Sequence, residues 1–205
     1  RADWGHFVIL GIFGVAAIQG SYYYSIAKLG VGLAILLQYL APALIVVFEL
    51  LRGARVRAHL LGAVAAAVVG TALVVGNVNP QSVHASALDW AIGFGSAFVF
   101  AFYIVYSKRR LERYAPETVL LYTFAIAGTL WAVVTPPWTI LAAHYGSDLW
   151  LMFITLGIFS TLAPFICFYI GLKHLPASEA AVVATLEPVF AGLAAAGFLG
   201  EGLSG

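Results

Sequence analysis

The chain of 205 residues is 62% hydrophobic and only 9% charged, with a mean hydropathy of +0.98; this excludes an ordinary soluble domain, in which about a quarter of residues are charged. A net charge of +1 leaves no electrostatic footprint for a nucleic-acid partner. The single cysteine, Cys167, excludes an intramolecular disulfide and a cysteine metal site, and within its apolar run it reads as a packing residue.

A helix that crosses a bilayer needs about 20 apolar residues, with a range of roughly 17–25. Seven segments qualify. The first, 6–28, carries Gln19 and Tyr23 and ends at Leu29-Gly30. The second, 31–51, holds Gln38, Tyr39 and Pro42 and stops at the turn Arg52-Gly53-Ala54-Arg55. The third, 58–76, repeats small residues at Gly62, Ala66 and Gly70, a stripe suited to close helix contact. A polar break from Asn77 to Ser86 leads into 88–107, which contains Tyr103 and is closed by Lys108-Arg109-Arg110. Segment 118–136 follows Glu117, and 149–172, with Pro164 and Tyr169, follows the break from Pro136 to Asp148. The last, 177–199, carries Glu187-Pro188 and a weaker stripe of Ala191, Ala195 and Leu199. Trp4, Trp90, Trp138 and Trp150 fall at span ends, where indole rings favour the membrane interface.

Residues 4–52 and 150–198 repeat one another without a gap at an offset of 146, with twelve identical pairs that include Trp4/Trp150, Phe7/Phe153, Gly11/Gly157, Ala34/Ala180 and Pro42/Pro188. Five helices start across that offset. Five is odd, so the second copy is inverted relative to the first, as in many alternating-access transporters. Charge gives an independent orientation, because cytoplasmic loops carry the excess of Lys and Arg. With residue 1 in the cytoplasm, nine of the ten basic residues lie inside (Arg1, Arg52, Arg55, Arg57, Lys108, Arg109, Arg110, Arg113 and Lys173) and only Lys28 lies outside. The 52–57, 108–117 and 173–176 loops are then cytoplasmic. The run Lys108-Arg109-Arg110 with Arg113 reads chiefly as a topology determinant, with lipid-headgroup binding as the minority reading.

The repeat also predicts a partner for 58–76 beyond residue 205, and partners for 88–107 and 118–136 before residue 1. The expected fold is therefore an all-α integral membrane protein with seven of ten transmembrane helices, arranged as two inverted five-helix repeats. Residues 1–86 hold the last three helices of the first repeat, and 87–205 the first four of the second. A self-standing seven-helix protein is the alternative.

The run Phe168-Tyr169-Ile170-Gly171-Leu172-Lys173-His174-Leu175-Pro176-Ala177-Ser178-Glu179-Ala180-Ala181 is followed by Leu186-Glu187-Pro188-Val189-Phe190 and by Leu199-Gly200-Glu201. Together these resemble the EamA-like family of the drug/metabolite transporter superfamily. The first copy is similar more loosely, through Tyr23-Tyr24-Ser25-Ile26-Ala27 and Leu40-Ala41-Pro42, and departs where Arg55 stands opposite Glu201. The resemblance implies ten helices, both termini in the cytoplasm, and export or exchange of small metabolites, here across a bacterial inner (plasma) membrane.

Glu187 is the sharpest candidate, because a carboxyl group midway along 177–199 carries a cost of at least ~2.5 kcal/mol when charged. Such an acid faces a cavity, a partner or a proton, and burial eases proton uptake, so Glu187 is a candidate proton-coupling and substrate-binding residue. Pro42 and Pro188 are the helix-break pair: each removes a backbone hydrogen bond and frees a carbonyl one turn earlier. Broken helices at matching depths point to a transporter's binding site, while a static packing kink is the plainer reading. Gln19, Tyr23, Gln38, Tyr39, Tyr103 and Tyr169 complete an expected aromatic-lined substrate cavity, against the plainer reading of interhelical hydrogen bonds worth about 0.6–2 kcal/mol each. Glu49 is expected to pair with Arg52 or Arg55.

An enzyme is disfavoured, since no His-Glu-x-x-His pair occurs, the five histidines sit at span ends or in loops, and no aspartate is expected to be buried in a span. No metal or cofactor is expected. With no Lys or Arg at mid-depth, a neutral, zwitterionic or cationic metabolite such as an amino acid or a drug-like amine fits best. The expected partners are that metabolite and the lipid bilayer, with a homodimer left open and no nucleic acid. A non-transporting membrane scaffold or interaction protein is the rival function.

Overall fold

Lipid cannot satisfy backbone N–H and C=O groups, so a chain this apolar closes its hydrogen bonds within helices. The computed structural model describes residues 3–54, 56–77, 85–187 and 190. Arg1, Arg55, His84, Pro188, Gly200-Glu201 and the 191–195–199 stripe fall outside them. All regular structure among the described residues is helical: α1 Trp4–Leu29, α2 Val31–Leu51, α3 Ala58–Asn77, α4 Ala87–Leu111, α5 Pro116–Val134, α6 Pro137–Ala142, α7 Ser147–His174 and α8 Ala177–Ala184. Five of these (α1, α2, α4, α5 and α7) are long and apolar enough to cross a membrane. The third expected span is helical as α3, and the seventh is described as helix over α8. Short helix α6 is an addition to the expected pattern. It starts on Pro137 in the first-turn position, where the missing N–H costs no hydrogen bond.

The ends of the helices follow local chemistry. Gly30, at φ +84°, supplies the left-handed residue that lets α1 fold back into α2. Ser86 and Asp89 form a reciprocal capping box at the start of α4. Lys108 Nζ donates to the carbonyls of Leu172 and Lys173, 2.9 Å each, at the C-terminal end of α7, where cations complement the helix dipole.

The repeat reappears in the backbone at the same offset. α1 is π-helical over Leu10–Ala16 and α7 over Leu156–Leu162. α2 breaks after Gln38 with a turn at 39–40, and α8 ends at Ala184 before a turn at 185–186. Five long helices begin between the paired positions, because α6, with six residues at about 1.5 Å each, is too short to cross.

The core lies between α1, α4, α5 and the second half of α7, around Leu10, Val15, Tyr103, Ile104, Leu120, Tyr169 and Leu172. The first half of α7 behaves differently: none of the most apolar stretch of this helix is buried, against 39% in its repeat-mate α1. Cys167, expected to pack, lies on an exposed face of the same helix. The Gly62/Gly70 stripe is likewise not a close contact here, since nothing lies within 4 Å of a Cβ added at either glycine.

One end of the bundle gathers the basic loops. Tyr114 donates to Asp3 (2.6 Å), and His6 Nδ1 bonds the Tyr106 hydroxyl (2.6 Å). Arg57 pairs with Glu179 at 3.2 Å. Glu49 accepts from the Ser178 backbone N–H at 3.4 Å, at the start of α8, instead of pairing with Arg52. Arg52 turns to the Phe48 ring, 4.5 Å from its centroid. The opposite end holds Tyr24, which donates to Asp89 at 2.7 Å.

Candidate functional site

The break in α2 builds the site. Pro42 is fully buried in the first turn after the break and has no N–H to offer the Gln38 carbonyl. The chain tightens instead, with Leu40 N–H bonded to Leu37 O. In the second copy Thr185 and Leu186 bond back to Val182 and Val183 in the same three-residue manner, and the Thr185 hydroxyl also donates to Val182 O (2.7 Å). The two interrupted helices lie side by side, and Tyr39 Oη donates to Glu187 Oε2 at 3.2 Å across 148 residues of sequence.

A cavity of about 450 Å³ opens beside this contact, bordered by Tyr39, Ala63, Ala67, Gly70, Val182 and Thr185. The small residues of α3 thus leave room for a void. Tyr39 is buried, whereas Glu187 is exposed. Gln38 Nε2 is buried without a hydrogen-bond partner among the described residues, next to the freed turn. A carboxylate held by a phenol, beside a void with no basic lining residue among those described, can receive a proton or hold an ammonium group.

The other expected site residues separate from this group. Tyr23 is 59% exposed and meets only the Tyr22 ring among described aromatic partners. It is half-buried Tyr22, one residue earlier, that comes within electrostatic range of both Tyr39 and Glu187. Tyr103 and Tyr169 are fully buried and stack at 5.8 Å in the packed core, where the Tyr169 hydroxyl meets Ser107 at 3.1 Å. The Tyr103 hydroxyl has no well-formed hydrogen bond among the described residues, although Tyr169 is its neighbour. Gln19 is half-buried in α1. Asp89 corrects the expectation that no aspartate is buried in a span: it is 6% exposed, and its carboxylate caps α4. The signal was present in the sequence as Ser-x-x-Asp.

Comparison with known proteins bears on this arrangement. The profile of the EamA-like transporter family matches residues 1–76 and 90–205. A protein of Archaeoglobus fulgidus named as an uncharacterized transporter is 28% identical over 197 residues, which are 95% of this chain and 68% of that protein. The Salmonella typhimurium protein named as the uncharacterized inner membrane transporter YicL is 27% identical over 198 residues, 94% of this chain and 64% of that protein. No solved structure matches.

Proposed function

We propose that this chain, an all-α membrane protein that belongs to the EamA-like transporter family, moves a small neutral, zwitterionic or cationic metabolite by alternating access, with Glu187 as the proton-coupling group. The observation that carries this reading is the Tyr39–Glu187 hydrogen bond at 3.2 Å, made where both copies of the repeat interrupt their helices. Interrupted helices that meet between two repeats are the usual place for substrate and coupling ion. The acidic group and the absence of Lys or Arg among the described residues bordering the cavity favour a substrate without excess negative charge.

The two-repeat division, 1–86 and 87–205, belongs to the same proposal. The shared π segments and breaks support it, and so does the unburied first half of α7, which on this reading packs against two helices equivalent to α4 and α5. An inner-membrane location with the basic end in the cytoplasm accords with the charge asymmetry and with the name of the Salmonella relative.

The test is transport into everted membrane vesicles. Glu187→Gln abolishes proton-driven substrate movement while substrate-for-substrate exchange survives, and Tyr39→Phe weakens coupling without eliminating it. Unchanged proton coupling in Glu187→Gln rejects the assignment.

A further inference from the structure

A second concavity of about 460 Å³ lies away from the Tyr39–Glu187 contact, between the second halves of α2 and α4. Its walls are apolar: Leu44 and Phe48 from α2 face Phe98 and Phe102 from α4. The only charged residues among its described lining are Arg52 and Arg109, one at the C-terminal end of each helix, at the end of the bundle where the basic loops gather.

The neighbouring charges have other tasks. Lys108 caps α7, and Arg110 lies over the Tyr106 ring at 5.5 Å. Glu49 on α2 faces the Ser178 N–H. Neither Arg52 nor Arg109 forms an ion pair with any described carboxylate. Arg52 is instead steered onto the groove wall by its contact with Phe48 at 4.5 Å. Two guanidinium groups therefore stand over a greasy slot without an ion-paired carboxylate among the described residues.

We propose that this groove binds an anionic phospholipid of the leaflet next to the basic loops, with an acyl chain along Phe48, Phe98 and Phe102 and the headgroup phosphate between Arg52 and Arg109. The apolar walls offer nothing to a water-soluble anion, and planar guanidinium forks match phosphate oxygens in paired hydrogen bonds. A basic pocket between transmembrane helices is the arrangement that recognises anionic headgroups. On this assignment Arg109 does more than set topology: within its basic run it is the member turned to the groove.

The experiment is native mass spectrometry of the full chain in detergent, titrated with phosphatidylglycerol and with phosphatidylcholine of identical acyl chains. Each arginine is worth about a five-fold preference and the pair about thirty-fold for the anionic lipid. Arg52→Gln and Arg109→Gln each remove one share, the double variant binds both lipids equally, and Lys173→Gln, a basic change outside the groove, keeps the preference. The single variants carry the test if circular dichroism shows that the double variant has lost its helices. Equal retention of both lipids by the unaltered chain, or a preference that persists in the arginine variants or disappears in Lys173→Gln, overturns the proposal.

Discussion

The pair Gly11/Gly157 turns the repeat into a stability experiment. A Cβ built on Gly11 would lie 2.7 Å from Ile126 Cγ2, 2.8 Å from Ile126 Cβ and 3.0 Å from the Thr123 carbonyl oxygen. Two of these atoms cannot swing aside: Ile126 Cβ is fixed to the α5 backbone, and Thr123 O is backbone. Overpacking of this kind costs about 1–3 kcal/mol. The opposing gain from replacing glycine by alanine in a helix is about 1 kcal/mol at most. The clash therefore wins, and Gly11→Ala lowers the thermal midpoint of the chain in detergent. Nothing lies within 4 Å of a Cβ on Gly157, so Gly157→Ala is neutral or stabilising in this chain. In a chain extended by two spans before residue 1, Gly157 acquires the neighbour that Gly11 has in α5, and the same substitution becomes destabilising. A light-scattering or tryptophan-fluorescence melt of the three variants and their two parent chains measures all of this. A harmless Gly11→Ala refutes the packing of α1 on α5, and a harmless Gly157→Ala in the extended chain refutes the two-repeat packing.

Three smaller predictions accompany it. Tyr169→Phe and Ser107→Ala, combined in a double-mutant cycle on thermal stability, yield a coupling of about 0.6 kcal/mol, below a ceiling of about 1.7, because their 3.1 Å bond is buried but joins neutral groups. Asp89→Ala lowers the midpoint in the same melt, since it removes the carboxylate half of the α4 capping box and the Tyr24 bond together, while Ser86→Ala leaves the Tyr24 bond and costs less. The Tyr114 hydroxyl bond holds the Asp3 carboxyl below its ordinary 3.8. The contact therefore contributes above that pH and is lost as pH falls through the lowered native value; hydrogen exchange at the start of α1 follows this acid transition, and Tyr114→Phe removes it.

The class of fold was legible because bilayer thickness imposes segment length, and segment length is written in the sequence. The repeat was legible for the same reason, and Pro42 marked one of its two helix breaks. The orientation of side chains was not. Tyr22, Tyr23 and Tyr24 are consecutive, so about 100° separates each from the next. The first turns towards Glu187, the second is exposed and the third reaches Asp89. A soluble helix betrays its inner face by polarity, but a helix bathed in lipid is apolar all round, and nothing in the sequence of α1 sets its phase. The same lack of contrast made Tyr103 and Tyr169 look like cavity lining when they are core. The π segments carry no breaker residue in the first copy, where Ile18 stands opposite Pro164. Only their common position at the offset reveals that they are built into the module.

The basic loops do more than orient the chain. Within the proposed alternating cycle, one end of the pathway closes through Arg57–Glu179 and Glu49–Ser178, which join residues of the two proposed repeats. The offset maps those four positions onto Leu203, Leu33, Ala195 and Gly32, none of which can make a charged contact. The opposite end has a polar clasp of a different kind between the same two proposed repeats, the neutral phenol of Tyr24 donating to Asp89 at 2.7 Å. The ion pair is weak, since the Arg57 side chain is 72% exposed. With the helix-terminal contact of Glu49 it amounts to roughly 1–2 kcal/mol at the basic end. On the proposed cycle, the balance between the two access states then depends on how the charged clasp at the basic end compares with the Tyr24–Asp89 bond at the other, and Arg57→Gln shifts it by only a few-fold.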